Sequence, residues 1–332
     1  MTLWPAHTYE RRPYRQASRG GSKQDRTLAE IEVSLPPMIG ALVYQASPRL
    51  VSPLETAVAD LREVDSGSAS SLNTMASFLI RTDSIASSKI ESIEASTEDF
   101  ARAIAGSKAN QSATLMAAGA QAITALIDEV GVAGTFTVEA ILNAHKTLMA
   151  EDETEARFAG RFREVQNWIG GSNYSPHLAE YIPPPPELVD KYMDDLLEFL
   201  NRDDLPVVAQ AAIGHAQFES IHPFTDGNGR VGRAIINAVF RRRGVSRRVI
   251  APVASALVAN QSTYFKTLVD YRAGQVDELV LNLSLAAQIS SREALVSALN
   301  IETMPSAWLS MAKPRSGSAA ERIINLLVEH PV

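Results

Sequence analysis

The stretch HPFTDGNGR, His222 to Arg230, constrains this chain more than any other. It lies between two apolar runs of helical character, LPVVAQAAIGHAQFESI before it and RVGRAIINAVFRRRG after it. Pro223 forbids simple continuation of the first helix, and Gly227 and Gly229 permit backbone angles that other residues avoid. The segment therefore reads as a tight turn between two helices, the second beginning around Asn228 or Gly229 and ending at Gly244.

Such a turn concentrates chemistry. Backbone N–H groups at the start of a helix form a ready anion site. Arg230 and Arg233, three residues apart, fall on one face near that end. Two planar, permanently charged, bidentate side chains beside an N–H nest suit a polyphosphate. Asp226 would be repelled by phosphate unless a divalent metal lay between them, and a carboxylate next to phosphate oxygens is a usual way to hold Mg²⁺. His222 titrates in the range a general base requires. A His-Pro turn with glycines also serves as a plain connection between helices. Six suitable residues in one turn favour a phosphate-handling site in which His222 activates a hydroxyl.

The rest of the chain reads as all-α apart from one hairpin. Leu54, Val58 and Leu61 share a helix face; STEDFARAIA, the Ala-rich SATLMAAGAQAITALIDEVG and TFTVEAILNAHKTLMA follow as further helices. After Gly160 the pattern changes, and Val165 to Ile169 and Glu180 to Ile182 flank a turn as two short strands. Helices resume at ELVDKYMDDLLEFLN, and NQSTYFKTLVDYRAG and VDELVLNLSLAAQISSREALVSALN close the body. The expected organisation is a disordered tail over 1–27, a helical N-terminal domain over 28–110, a core over 111–300, and a linker with one last helix over 301–332.

Composition removes several function classes. The 332 residues are 45% hydrophobic with a formal charge of −7, no electrostatic match for nucleic acid or anionic membrane. The lack of cysteine excludes disulfides and thiolate chemistry and fits a reducing compartment. No secretory h-region precedes the body, and no apolar run reaches the roughly 18 residues that span a bilayer. A cytoplasmic protein without membrane partners is expected.

HPFTDGNGRVGR fills every specified position of the Fic signature, His-Pro-Phe-x-Asp/Glu-Gly-Asn-Gly-Arg-x-x-Arg, and the chain resembles that family. GRFREVQNWIGGS and YIPPPPELV resemble its flap hairpin and following proline run, and STYFKTLVDYRAG resembles its Tyr-Tyr segment with Phe265 in place of the second tyrosine. The resemblance implies the Fic fold, a helical core with a β-hairpin flap. It also implies a nucleotidyltransferase that moves AMP from ATP to a Ser, Thr or Tyr hydroxyl of a target protein, itself included, and releases pyrophosphate. By position, His222 would be the base and Asp226 would hold Mg²⁺. Asn228 and the N–H groups of Gly227 and Gly229 would cradle phosphate, and Arg230 and Arg233 would take the β- and γ-phosphates. Ile169, Gly170, Gly171 and Ser172 of the flap would approach the nucleotide, and the flap edge could take up an extended target segment. Tyr264, Phe265, Leu268 and Arg272 resemble residues on the adenine side.

SSKIESIEAS resembles the family's inhibitory helix, Ser/Thr-x-x-x-Glu-Gly/Asn, with Ser87 and Glu91 in register and Ser92 in the last place. The resemblance implies autoinhibition, Glu91 forming a bidentate pair with Arg233 where the γ-phosphate would bind. AAERIINLLVEHPV resembles the first helix of a winged-helix unit. Three readings stay open: adenylyl transfer; the same scaffold with other chemistry, such as AMP removal, another nucleotide donor or phosphorylation; and a DNA-binding regulator with a nucleotide sensor, disfavoured by the charge. A homodimer is also among the expected partners.

Overall fold

The computed structural model describes residues 4–17, 19–66 and 69–329. The remaining parts of the expected tail, residues 1–3 and 18, and the last three residues of the final expected helix lie outside them. The described residues form thirteen α-helices and one two-stranded antiparallel sheet.

The centre is α8 (Val207–Ile221) followed by α9 (Asn228–Arg242). Every residue of α8 from Val208 onward is buried, because α7 (Val189–Leu200), α2 (Pro48–Val64), α9, α11 (Gln261–Arg272) and α12 (Val276–Ala312) pack around it. An apolar run without a polar face is stable as a helix only when enclosed in this way. Helices α5 (Gln111–Ala133) and α6 (Val138–Met149) cover α9, and α3 (Ala69–Ile90) lies against α5, α9, α10 (Val253–Ala259) and α12. Local signals place the ends: the Asn110 side chain accepts from Ala113 N at 2.8 Å to start α5, and Gly134, in the left-handed region, closes it. Thr137 caps α6 and Ser96 caps α4 (Thr97–Ile104) in the same manner.

Helix α5 corrects the expectation that no apolar run is long enough to cross a bilayer. Its 23 residues suffice by length and composition. In the fold, however, its small side chains pack against neighbouring helices: a Cβ added at Gly119 would lie 2.7 Å from Ser84 Oγ, and Ser84 Oγ donates to Met116 O at 2.7 Å. Alanine and glycine let α3 and α5 approach closely while raising the apolar count.

The first 27 residues are not a wholly disordered tail. Strand β1 (Thr8–Pro13) pairs with β2 (Glu30–Leu35), Thr8 opposite Leu35 and Pro13 opposite Glu30, with the short helix α1 (Lys23–Thr27) between them. In β2, Ile31 and Val33 point inward and Glu30 and Glu32 outward, a period-2 pattern. The arm is pinned to the body: Trp4 is buried beside Tyr44 and Tyr271, His7 N donates to Arg272 O at 2.9 Å, and His7 Nδ1 pairs with Ser34 Oγ at 2.8 Å. Conversely, the expected flap hairpin is reduced to one bridge, Ile169 to Tyr181, and β2 reaches it through Ser34 N donating to Ile182 O at 2.8 Å. The flap tip is tied to α1, since Asp25 accepts from Ser175 Oγ and Ser22 Oγ, both at 2.7 Å.

At the other end, α12 continues through Pro305 to Ala312, past the linker expected from Met304. Thr303 Oγ1 donates to Leu299 O at 3.0 Å in the turn before the proline. Helix α13 (Ala319–Glu329) follows, with no winged-helix unit among the described residues.

Trp4→Ala should lower unfolding stability by about 3 kcal/mol, the usual result of emptying a buried aromatic site, measured by urea denaturation. An unchanged midpoint would show that the arm is not anchored through Trp4.

Candidate active site

Helix α8 ends as the turn residues require. His222 adopts the left-handed conformation (φ 50°) as its C-cap, and Gly227 (φ 77°) is the N-cap of α9. The loop between them is secured from behind. Asn228, buried, accepts from Phe224 N at 2.8 Å and donates to Phe224 O at 2.9 Å. Its amide is thus used in closing the loop. His145 on α6 stacks on Phe224 with ring centres 3.7 Å apart. Gly160 N donates to its Nδ1 at 3.0 Å, so Nε2 carries the proton and donates to Asp226 O at 3.1 Å. Arg163, also buried, sends Nε to His222 O at 2.9 Å and Nη2 to Pro184 O at 2.5 Å, joining the loop to the flap. The sequence reading missed His145 and Arg163. Only their polar character inside otherwise structural segments could have marked them.

His222 is partly exposed, and its Nδ1 has no hydrogen-bond partner among the described residues. Loss of solvent, then the positive charges of Arg163 and Arg272, push its pKa down to about 3, so the ring is neutral at pH 7. Asp226 is the exposed carboxylate at the mouth of α9, 3.6 Å from Arg230 Nη2. Arg230 is buried with Nε and Nη1 unpartnered; besides Asp226 its guanidinium meets Met149 Sδ at 3.7 Å. A buried cation with unused donors at a helix N-terminus is an arrangement that favours an anion.

Arg233 is satisfied, and its partners come from α3. Its Nε donates to Ser87 Oγ at 2.8 Å, and Nη2 donates to Ser87 O at 2.9 Å and to Glu91 Oε1 at 2.7 Å. The expected bidentate pair is a single carboxylate contact, with Ser87 taking Nε and sharing Nη2 with Glu91. The Glu91 carboxylate lies against Gly229 and occupies the space a Cβ there would need. Glu91 is the C-cap of α3. Ser92 N donates to Lys89 O and Ile93 N to Ser88 O, both at 3.0 Å, with Ser92 in the left-handed region at φ 60°. This is the Schellman closure, whose left-handed position favours glycine or asparagine, the residues the resemblance expects in place of Ser92. Helix α3 is positioned by Ser84, which donates to Met116 O of α5, and by Asp83, which accepts from Ala254 N of α10 at 2.9 Å.

The remaining expected residues are dispersed. Gly170 and Gly171, both at positive φ, fold their turn back on Glu180 and on the 177–179 backbone, and Ser172 O accepts from Trp168 Nε1 at 2.7 Å. Tyr264 and Leu268 are buried, the Tyr264 hydroxyl 2.9 Å from His215 Nε2, and Phe265 is exposed. Arg272 lies on the other side, its guanidinium 3.5 Å above the Tyr181 ring and close enough to lower the His222 pKa. Among the described residues no cluster of three metal-ligating side chains exists, so a metal at Asp226 would need most of its shell from elsewhere.

Residues 135–240 match the Fic/DOC family. A protein adenylyltransferase of Caenorhabditis elegans is 31% identical over 140 residues, 41% of this chain and 25% of that protein. A probable protein adenylyltransferase of Aquifex aeolicus is 43% identical over 68 residues, 20% of this chain and 21% of that protein. The chain thus spans about a quarter of the length of these curated relatives. A solved Fic family protein from Desulfovibrio desulfuricans superposes with a TM-score of 0.61 at 24% identity, covering 76% of each chain. Fic-1 of C. elegans gives 0.59 at 22% identity, covering 75% of this chain and 72% of that one. At these identities the likeness is one of fold.

Two outcomes follow from this geometry. Ser92→Gly should raise stability by about 1 kcal/mol by relieving a left-handed non-glycine residue, read as an increase in Tm. Stability should also fall as pH drops from 7 to 5. His7, His145, His215 and His222 are held by burial at about 3 to 4, so the unfolded chain takes up protons near 6.5 that the folded one refuses. Asp83 and Glu219, raised to about 7 by burial, oppose this: their contribution is present at low pH and lost as pH rises through 7. Four histidines outweigh two carboxyls, at about 1.4 kcal/mol per pH unit for each uncompensated proton. A Tm that rises on acidification would contradict the assignment. The turn that carries His222, Asp226, Arg230 and Arg233 lies inside the segment that matches the Fic/DOC family, and the chain around it has a Fic-like fold.

Proposed function

We propose that the protein is a protein adenylyltransferase that moves AMP from ATP to a Ser, Thr or Tyr hydroxyl of a target protein, restrained by its own Glu91. The observation that carries this reading is the pairing of Arg233 with Glu91, 2.7 Å apart against the first turn of α9 and within a few residues of Arg230, whose Nε and Nη1 have no partner among the described residues. A carboxylate there stands in for a phosphate: it is an anion at a helix N-terminus, paired with an arginine whose counterpart in the turn still has free donors.

With Glu91 withdrawn, the γ-phosphate takes its place on Arg233 and the β-phosphate meets Arg230. Asp226 would hold a Mg²⁺ ion, which would offset phosphate charge. The target oxygen bonds to the α-phosphorus, the bond from that phosphorus to the bridging oxygen breaks, and pyrophosphate leaves. The hydroxyl proton passes to the His222 ring. Loss of solvent, then the charges of Arg163 and Arg272, keep this ring unprotonated, and the incoming triphosphate offsets those charges and raises its basicity as the substrate arrives. The loop is held by His145, Arg163 and Asn228, so its N–H groups need no rearrangement to meet developing charge.

The test uses ATP labelled at the α- or γ-position, with transfer to protein measured on the full chain. Glu91→Gly should increase α-label incorporation about ten- to a hundredfold, matching loss of a charged hydrogen bond of about 1.5–3 kcal/mol. His222→Ala in that background should reduce it by roughly 10²–10⁴. Label from the γ-position alone would mean phosphorylation, and no gain in the Glu91 variant would sink the restraint.

A further inference from the structure

The direction of the Glu91 side chain is set by the last turn of α3. The final four carbonyls of a helix have no partner within it. In α3 two of them are met by the closing residues: Ser88 O accepts from Glu91 N and Ile93 N, and Lys89 O accepts from Ser92 N, each at 3.0 Å. The other two are met from other helices. Ser87 O accepts from Arg233 Nη2 at 2.9 Å, and Ile90 O accepts from Gln261 Nε2 of α11 at 3.1 Å. A carbonyl can only accept, so the contact with Ile90 fixes which end of the Gln261 amide faces α3.

The Gln261 bond falls on the peptide unit that joins Ile90 to Glu91. The oxygen of that planar unit is held by Gln261 and its N–H by Ser88 O, so its orientation is pinned from both edges. From there the chain passes directly to the Glu91 side chain, which reaches Arg233 at 2.7 Å. Beyond Glu91 the chain turns through Ser92 in the left-handed region, a conformation costly for most residues other than glycine. Helix ends are where local opening concentrates, and a strained closure leaves this one dependent on outside contacts. Gln261 is half-buried in the first turn of α11. Its helix is fixed one turn later by Tyr264, buried with its hydroxyl 2.9 Å from His215 Nε2 of α8. The donor to Ile90 thus belongs to an anchored element 171 residues away in sequence.

We propose that Gln261 is a positioning residue for Glu91: through Ile90 O it holds the end of α3 so that the carboxylate stays on Arg233 in place of the γ-phosphate. The proposal rests on the reading of Glu91 as the restraint. Gln261 touches neither nucleotide nor target in this scheme. Its loss should therefore matter only while Glu91 is present, a dependence that a general structural role lacks. Methionine at 261 keeps the length of the side chain and removes the N–H that Ile90 O accepts.

A double-mutant cycle on the full chain, read as transfer of label from α-labelled ATP to protein, supplies the first readout. Gln261→Met should raise incorporation about three- to tenfold over the unmodified chain, the range of one neutral hydrogen bond. Added to Glu91→Gly, the same substitution should change incorporation by less than about twofold. The second readout needs no nucleotide: amide hydrogen exchange at Ser92 and Ile93 should be about three- to tenfold faster in Gln261→Met, with α8 and α9 unchanged. Circular dichroism checks that the variant is folded, and Gln261→Asn, one methylene too short to reach Ile90 O, repeats the test if it is not. Unchanged incorporation in Gln261→Met, an equal rise or a loss in the Glu91→Gly background, or exchange indifferent to residue 261 would each overturn the proposal. If Glu91→Gly is itself no more active than the unmodified chain, the restraint reading fails, and the exchange measurement still decides whether Gln261 holds the end of α3.

Discussion

Two guanidinium groups are buried in the first turns of a helix with little water around them. Removing such an ion from solvent costs several kcal/mol even after relaxation, and it is tolerated only where polar partners compensate. Arg233 meets this demand through Ser87 and Glu91, three donor contacts from one neighbouring helix. Arg230, one turn earlier, has only Asp226 at 3.6 Å and Met149, and two of its nitrogens are without a partner among the described residues. The asymmetry explains why α3 has to pack against α9, and it leaves an anion-seeking arginine beside an arginine already paired.

The rest of the site serves to keep that arrangement rigid. The turn from His222 to Gly227 is held by an imidazole from α6, a guanidinium from the segment before the flap, and the amide at the start of α9. None of the three has to move for the loop N–H groups to face a ligand. Preorganised donors in a partly dry site are worth more than the same donors in water, because no reorganisation accompanies the developing charge. The N-terminal arm extends the same logic outward. It ties the flap to α1 through Asp25 and Ser175, and to the end of α11 through His7.

Legibility in the sequence followed the range of the interactions. The turn could be read because proline, glycine and helix capping act within a few residues, so α8 and α9 end and begin where local chemistry dictates. Ser87 and Glu91 were readable as a pair, one turn apart on a helix, and the contact of Glu91 with Arg233 was expected from resemblance. The arm was not. The two strands of its hairpin are separated by a polar stretch, and Trp4 gains its burial only from Tyr44 and Tyr271, far along the chain. The period-2 pattern of Ile31 and Val33 was present but too short to decide alone.

The order of residues alone determined that a histidine, an acid and two arginines would cluster at one helix start, since backbone geometry places neighbours in sequence together. Only the tertiary structure decided which way each side chain turned. Asn228 and Tyr264 face inward to satisfy buried groups, Arg272 lies over Tyr181 on the flap side, and Glu91 reaches across from another helix. Direction depends on which partners packing brings within hydrogen-bond distance, and those partners lie up to 146 residues away.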